Sequence, residues 1–166
     1  NEILGGSFAS RLNQHVRDDL GLTYSIYSYS DPAADRGTLT ISTFTKNESV
    51  EKTIDESLKV VNEFYEKGIS EKELNAAKAQ MIGQFPRAIE TISGFAFNIA
   101  YLDFHQIPIQ YLVGFNQVVQ AVTVSDLNRV IKKYFNPSKN QILVYGDQAV
   151  IGEQLKKWNP EIIDLK

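Results

Sequence analysis

Phe8, Leu12, Val16 and Leu20 recur at near-fourfold spacing between a glycine pair, Gly5 and Gly6, and a single glycine, Gly21. That spacing marks one face of a helix, and Gly21 is the residue expected to end it. Immediately afterwards the pattern changes to the alternation of a strand. A helix that passes at once into a strand places Arg17 and Tyr24, seven residues apart, on the two sides of one turn. A guanidinium and a phenol then face one spot.

The strand reading begins at Thr23, with Tyr24 and Ile26 alternating against Tyr27 and Tyr29. Asp31 with Pro32 and then Gly37 bracket a loop, and Thr38 to Thr45 returns with Leu39 and Ile41 on one face, which predicts an antiparallel hairpin. Val50, Ile54, Leu58, Val61 and Phe64 predict an amphipathic helix stopped by Gly68. Ser70 and Glu73 form a capping-box signature for a second helix through Leu74, Ala77 and Met81, which Pro86 is expected to kink or break and Gly94 to interrupt again. Helical spacing resumes at Ile99 and Leu102. A shorter helix carries Leu112, Phe115 and Val119, and Thr123 with Asp126 caps another that runs to Tyr134 and Phe135 before Asn136 and Pro137.

Ile142 to Tyr145 is a continuous apolar run of β-formers closed by Gly146 and Asp147, which predicts a strand covered on both faces. A last amphipathic segment holds Val150, Leu155 and Trp158, and Ile162 with Ile163 suits a short edge strand. The expected class is α+β, with an antiparallel or mixed sheet and helices stacked on one face, including those centred near 58, 77 and 130. The strands at 23–45 and 141–146 are expected in one sheet.

At 166 residues the chain fits one domain, able to bury roughly 70% of its unfolded surface without a staple. It contains no cysteine, so thiolate and disulfide chemistry are excluded, while the compartment stays open. With a net charge of −3 and no more than two adjacent lysines or arginines, it has no phosphate-tracking stripe, and nucleic acid is not an expected partner. Its apolar runs are far shorter than a membrane span.

Three stretches carry a resemblance. NEILGGSFASRL followed by VRDDLGLTYSIYS, then GISEKELNAAKAQMIGQF, then VTVSDLNRVIKKYFNPSKNQILVYGD resemble, in order, segments of the insulinase and pitrilysin (M16) zinc metallopeptidases. The likeness is to the C-terminal half, which lacks the zinc motif, and it implies half of a metallohydrolase domain of the LuxS/mitochondrial processing peptidase type. It implies that residues 1–166 form a single such domain without its first strands and helix, so that Asn1 lies within or just before a helix beginning upstream. Gly5, Gly6, Ser10 and Arg11 then serve architecture.

The resemblance also implies a role for Arg17 and Tyr24, which match the family's Arg/Tyr pair. That pair reaches a bound peptide from the half without zinc: the guanidinium donates a planar fork to peptide carbonyls or a terminal carboxylate, and the phenol donates to a developing oxyanion. Peptide is the implied substrate. Zinc is expected in a partner domain or subunit, in cis or in trans, and none in this chain, which is not expected to be active alone. No His-x-x-Glu-His is present; the two histidines are His15 and His105. His15 has Asp18 and Asp19 three and four positions on, short of the three protein ligands of a catalytic zinc, and is expected to face solvent. Tyr27, Tyr29 and Tyr101 suit either core or a peptide-lined chamber, and an unpaired hairpin edge suits strand addition. The alternative function is a scaffold or interaction module that keeps the fold without peptidase activity.

Overall fold

The computed structural model describes residues 1–31 and 37–163. They divide into two compact units, one made of residues up to 67 with those from 132 onward, the other of residues 68–131. Among the described residues, seven α-helices and one two-stranded antiparallel sheet make the class α+β.

In the first unit, Glu2–Gly6 winds as a π-helical turn, and a helix opening at Arg11 continues as a π-helix over Asn13–Asp19. Gly21 ends it in the left-handed region at φ +60°. The N–H groups of Gly21 and Leu22 donate back to the carbonyls of Arg17 and Val16. The chain then enters β1 (Ile26–Asp31), which pairs with β2 (Thr38–Thr43) in a register from Ile26 opposite Thr43 to Asp31 opposite Thr38. The expected loop at 32–36 lies outside the described residues.

Leu4, Leu12, Val16 and Ile26 are essentially fully buried and form the core between the π-helical segments and β1. Phe8 was expected on the same face but is 79% exposed, because residues 7–10 are turns and bends and the helix has not yet begun. Ile26 and Ser28 face inward, whereas Tyr27 and Tyr29 stack on the opposite, half-exposed face with ring centroids 5.9 Å apart. Gly5 is buried against β1, where a Cβ would sit 2.8 Å from the Ser28 backbone nitrogen.

Helix α1 (Val50–Lys67) buries Val50, Thr53, Val60, Val61 and Phe64, and the Phe64 ring meets Phe135 edge-on at 5.4 Å. Near the C-terminus, α7 (Gln148–Leu155) follows an Asp147 cap and tightens into a 3₁₀ turn at Lys156–Trp158. Lys157 there pairs with Glu51 and Asp55 of α1.

The expected strand at 141–146 is not formed. Gln141–Tyr145 has no paired neighbour among the described residues, and Leu143 and Tyr145 are about nine-tenths exposed. A β-prone run becomes a strand only when another strand accepts its ladder, and the described sheet stops at two. Ile162 and Ile163 likewise form no strand.

The second unit holds α2 (Glu71–Ile89), α3 (Ile92–Phe104), α4 (Gln110–Val113), α5 (Phe115–Ala121) and most of α6 (Val124–Tyr134). Both expected capping boxes form: Ser70 and Glu73 exchange side-chain and backbone bonds, as do Thr123 and Asp126. Pro86 is accommodated inside α2, which runs three residues further. Gly94 does not interrupt a helix; it lies in the first turn of α3, where its N–H donates to the Thr91 hydroxyl. The helix expected through Leu112, Phe115 and Val119 divides at Gly114 into α4 and α5. Phe85 and Phe115 stack at 4.1 Å, fastening α2 to α5.

Candidate functional site

The turn at Gly21 brings Arg17 and Tyr24 together through the main chain. Arg17 Nε donates to the Tyr24 carbonyl at 2.8 Å and Nη1 donates to Asp18 Oδ1 at 2.8 Å. The guanidinium lies 5.9 Å from the Tyr24 ring centroid and 5.5 Å from that of Phe8, within the range of cation–π attraction to both. Arginine carries five N–H donors; these bonds use one at Nε and one at Nη1, and the Nη2 donors meet no acceptor among the described residues.

Tyr24 precedes β1 instead of lying within it, and is 91% exposed, so it does not fill a half-buried strand position. Thr23 fixes the turn behind it: its hydroxyl bonds the carbonyls of Ser25 and Phe44 and accepts from Thr43. Phe8, Tyr24 and Phe44, each at least 79% exposed, therefore stand near one guanidinium or one turn. The neighbourhood offers a charged planar donor, a phenol and apolar ring surface, a combination suited to an extended peptide.

His15, on the same π-helix, does not face solvent freely: its Nε2 lies 2.6 Å from Glu56 Oε2 on α1. Glu56 also accepts from Lys59 at 3.3 Å, and these bonds, His15 first, hold its carboxyl below the usual glutamate range. Neither Asp18 nor Asp19 joins His15 in a ligand set. Among the described residues no group of three or more His, Asp or Glu is arranged to hold a metal ion, so the residues here do not fit a catalytic zinc. No helix among them is long and apolar enough to cross a membrane.

Residues 1–81, which include the whole Arg17/Tyr24 neighbourhood, match the peptidase M16 inactive domain. Over residues 1–81 the chain belongs to the M16 peptidase family. Its M16 relatives include the Helicobacter pylori protein called "Non-peptidase homolog YmxG", 32% identical over 133 residues, which are 80% of this chain and 31% of that protein. Another is the Bacillus subtilis "Uncharacterized zinc protease YmxG", 42% identical over 94 residues, 55% of this chain and 22% of that one. Among solved structures, a peptidase M16 inactive domain from Pseudomonas fluorescens superimposes with a TM-score of 0.76 at 31% identity, covering 84% of this chain and 33% of that one. The chain thus spans a third or less of each of these relatives.

Two residues near Arg17 and Tyr24 escape notice in the sequence. Phe8 looks like a core position, yet its ring flanks Arg17. Asn13, buried to 6% exposure, bonds β1 through its side chain; an asparagine beside the apolar face of a helix is the faint signal it leaves.

Proposed function

We propose that this M16 inactive domain is the substrate-contacting, non-zinc half of a zinc metallopeptidase, working with a zinc-bearing domain or subunit. The observation that carries it is the ordered Arg17 fork beside the exposed Tyr24 phenol. With Nε tied to the Tyr24 carbonyl and Nη1 to Asp18, Arg17 offers its remaining donors to a peptide carbonyl or terminal carboxylate, and Tyr24 offers a hydroxyl to an oxyanion. The names of the relatives divide: one is called a zinc protease and one a non-peptidase homolog. The second name favours the scaffold alternative, in which the fold persists without peptide turnover.

The deciding experiment co-expresses the chain with its zinc-bearing half and measures peptide cleavage. Tyr24→Phe is expected to lower kcat by about 10²-fold, the scale of losing one preorganised oxyanion donor, and Arg17→Ala to act mainly on KM. The isolated chain is expected to cleave nothing. Parent rates in both variants would reject the site, and an assembled parent that cleaves no peptide would favour the scaffold.

A further inference from the structure

The carbonyls of Tyr24, Ile26 and Ser28, spaced two apart along one side of β1 and its approach, are each taken by a side-chain donor. Arg17 Nε holds the first at 2.8 Å, Asn13 Nδ2 the second at 2.8 Å, and Asn1 Nδ2 the third at 3.1 Å. Alternate residues of an antiparallel strand turn their polar groups away from the partner strand, and a side chain cannot enter between β1 and β2. These donors therefore close the outer edge of β1. The carbonyls of Tyr24, Ile26 and Ser28 are thus not free to pair with a peptide added as a new strand.

Asn13 is the central member of the three. Its amide nitrogen also lies 3.1 Å from the Ser7 carbonyl and 3.2 Å from the buried Ser10 hydroxyl. It thus joins the turn before the helix, the helix and β1. Arg17 follows four residues later in the same π-helical segment, so the two side chains grip carbonyls two residues apart in the strand direction.

We infer that Asn13 is the positioning residue of the Arg17/Tyr24 pair, fixing the π-helix against β1 so that the fork and the phenol keep their mutual geometry. This rests on the proposed peptide contact of that pair. Without the Asn13 amide, the buried Ile26 carbonyl loses its donor, the helix and strand lose their clamp, and Arg17 Nε no longer meets the Tyr24 carbonyl reliably.

The test compares Asn13→Ala and the milder Asn13→Ser with Thr53→Ala, which removes a buried hydroxyl of α1 bonded to Thr45 and Ser49. Two readouts are taken on the full chain: solvent exchange of the Arg17 Nε–H by ¹⁵N NMR, and binding of fluorescein-labelled casein peptides by polarisation. In folded Asn13→Ala, exchange is expected to quicken and peptide binding to weaken, each about tenfold, the scale of one hydrogen bond to a charged group. Thr53→Ala is expected to lower the melting temperature and leave both readouts unchanged. Unchanged exchange in a folded Asn13 variant would overturn the assignment, as would unfolding of both Asn13 variants. Faster exchange in Asn13→Ala, with peptide binding unchanged both there and in Arg17→Ala, would uphold the positioning role and reject the peptide contact instead.

Discussion

Gly5→Ala is expected to destabilise the protein although alanine is the better helix former. A Cβ at Gly5 would stand 2.6 Å from Ser28 Oγ, 2.8 Å from the Ser28 backbone nitrogen and 2.9 Å from Leu12 Cδ1. Carbon contacts are comfortable near 3.5–4.0 Å, so the π-helical turn must back away from β1 by roughly 0.5–1 Å. The Ser28 hydroxyl is buried and donates to Asn1 Oδ1, so moving it breaks that bond. Leu12 is fully buried, and Ser28 lies within the strand β1 that pairs with β2, so neither gives way easily. Overpacking of this kind costs about 1–3 kcal/mol, against which alanine recovers about 0.5–1 kcal/mol of backbone entropy. The net loss of about 1–2 kcal/mol corresponds to a fall of roughly 2–8 °C in Tm at this chain length. Gly83→Ala, in α2, is the control: no heavy atom lies within 4 Å of its Cβ position, so it is expected to raise Tm by about 1–4 °C. Thermal unfolding followed by circular dichroism reads both. A Gly5→Ala protein that melts at or above the parent temperature would refute the close-approach argument.

Ser70→Ala removes the hydroxyl that accepts the Glu73 N–H in the α2 capping box, and is expected to cost about 1 kcal/mol in denaturant unfolding; an unchanged midpoint would count against it. Glu56→Gln tests the His15 contact through pH. Because the Glu56 carboxyl is held below its usual range, its charge stabilises the fold above the unfolded value of about 4.3, and that contribution disappears as pH falls through the lower folded value. The parent is therefore expected to be the more stable protein at neutral pH and to lose its advantage in acid. A gap that stays constant into strong acid would show that the stabilisation does not depend on the carboxylate charge.

Local signals in the sequence survive folding where both partners lie within a few residues. Ser70 with Glu73, and Thr123 with Asp126, can be read as caps because each pair closes a ring inside one helical turn. Gly21 can be read as a stop because its left-handed conformation is a property of one residue. Gln141–Tyr145 fails by the opposite logic: its β-forming side chains state a preference, but a ladder requires a second strand, which no local pattern supplies. The π-helix at Asn13–Asp19 is hidden for another reason. Over seven residues, the widened turn shifts the apolar stripe too little to distinguish it from α spacing, so Val16 is buried in either case.

The site was legible in composition but not in geometry. Spacing puts Arg17 and Tyr24 around one turn, yet it does not reveal that Arg17 binds the Tyr24 carbonyl or that Phe8 comes forward beside it. The family resemblance implies a substrate contact for Arg17, and the folded chain also gives it a surface ion pair with Asp18. That ion pair orients the fork in a way that the proposed contact can use. A free arginine side chain loses about 1.5–2 kcal/mol of rotamer freedom when it is ordered. Here Nε and Nη1 are already committed to Tyr24 and Asp18, and the Phe8 and Tyr24 rings flank the fork. Much of that ordering has been met in the folding of the turn, so an acceptor arriving at the open side of the guanidinium meets a donor that is already oriented.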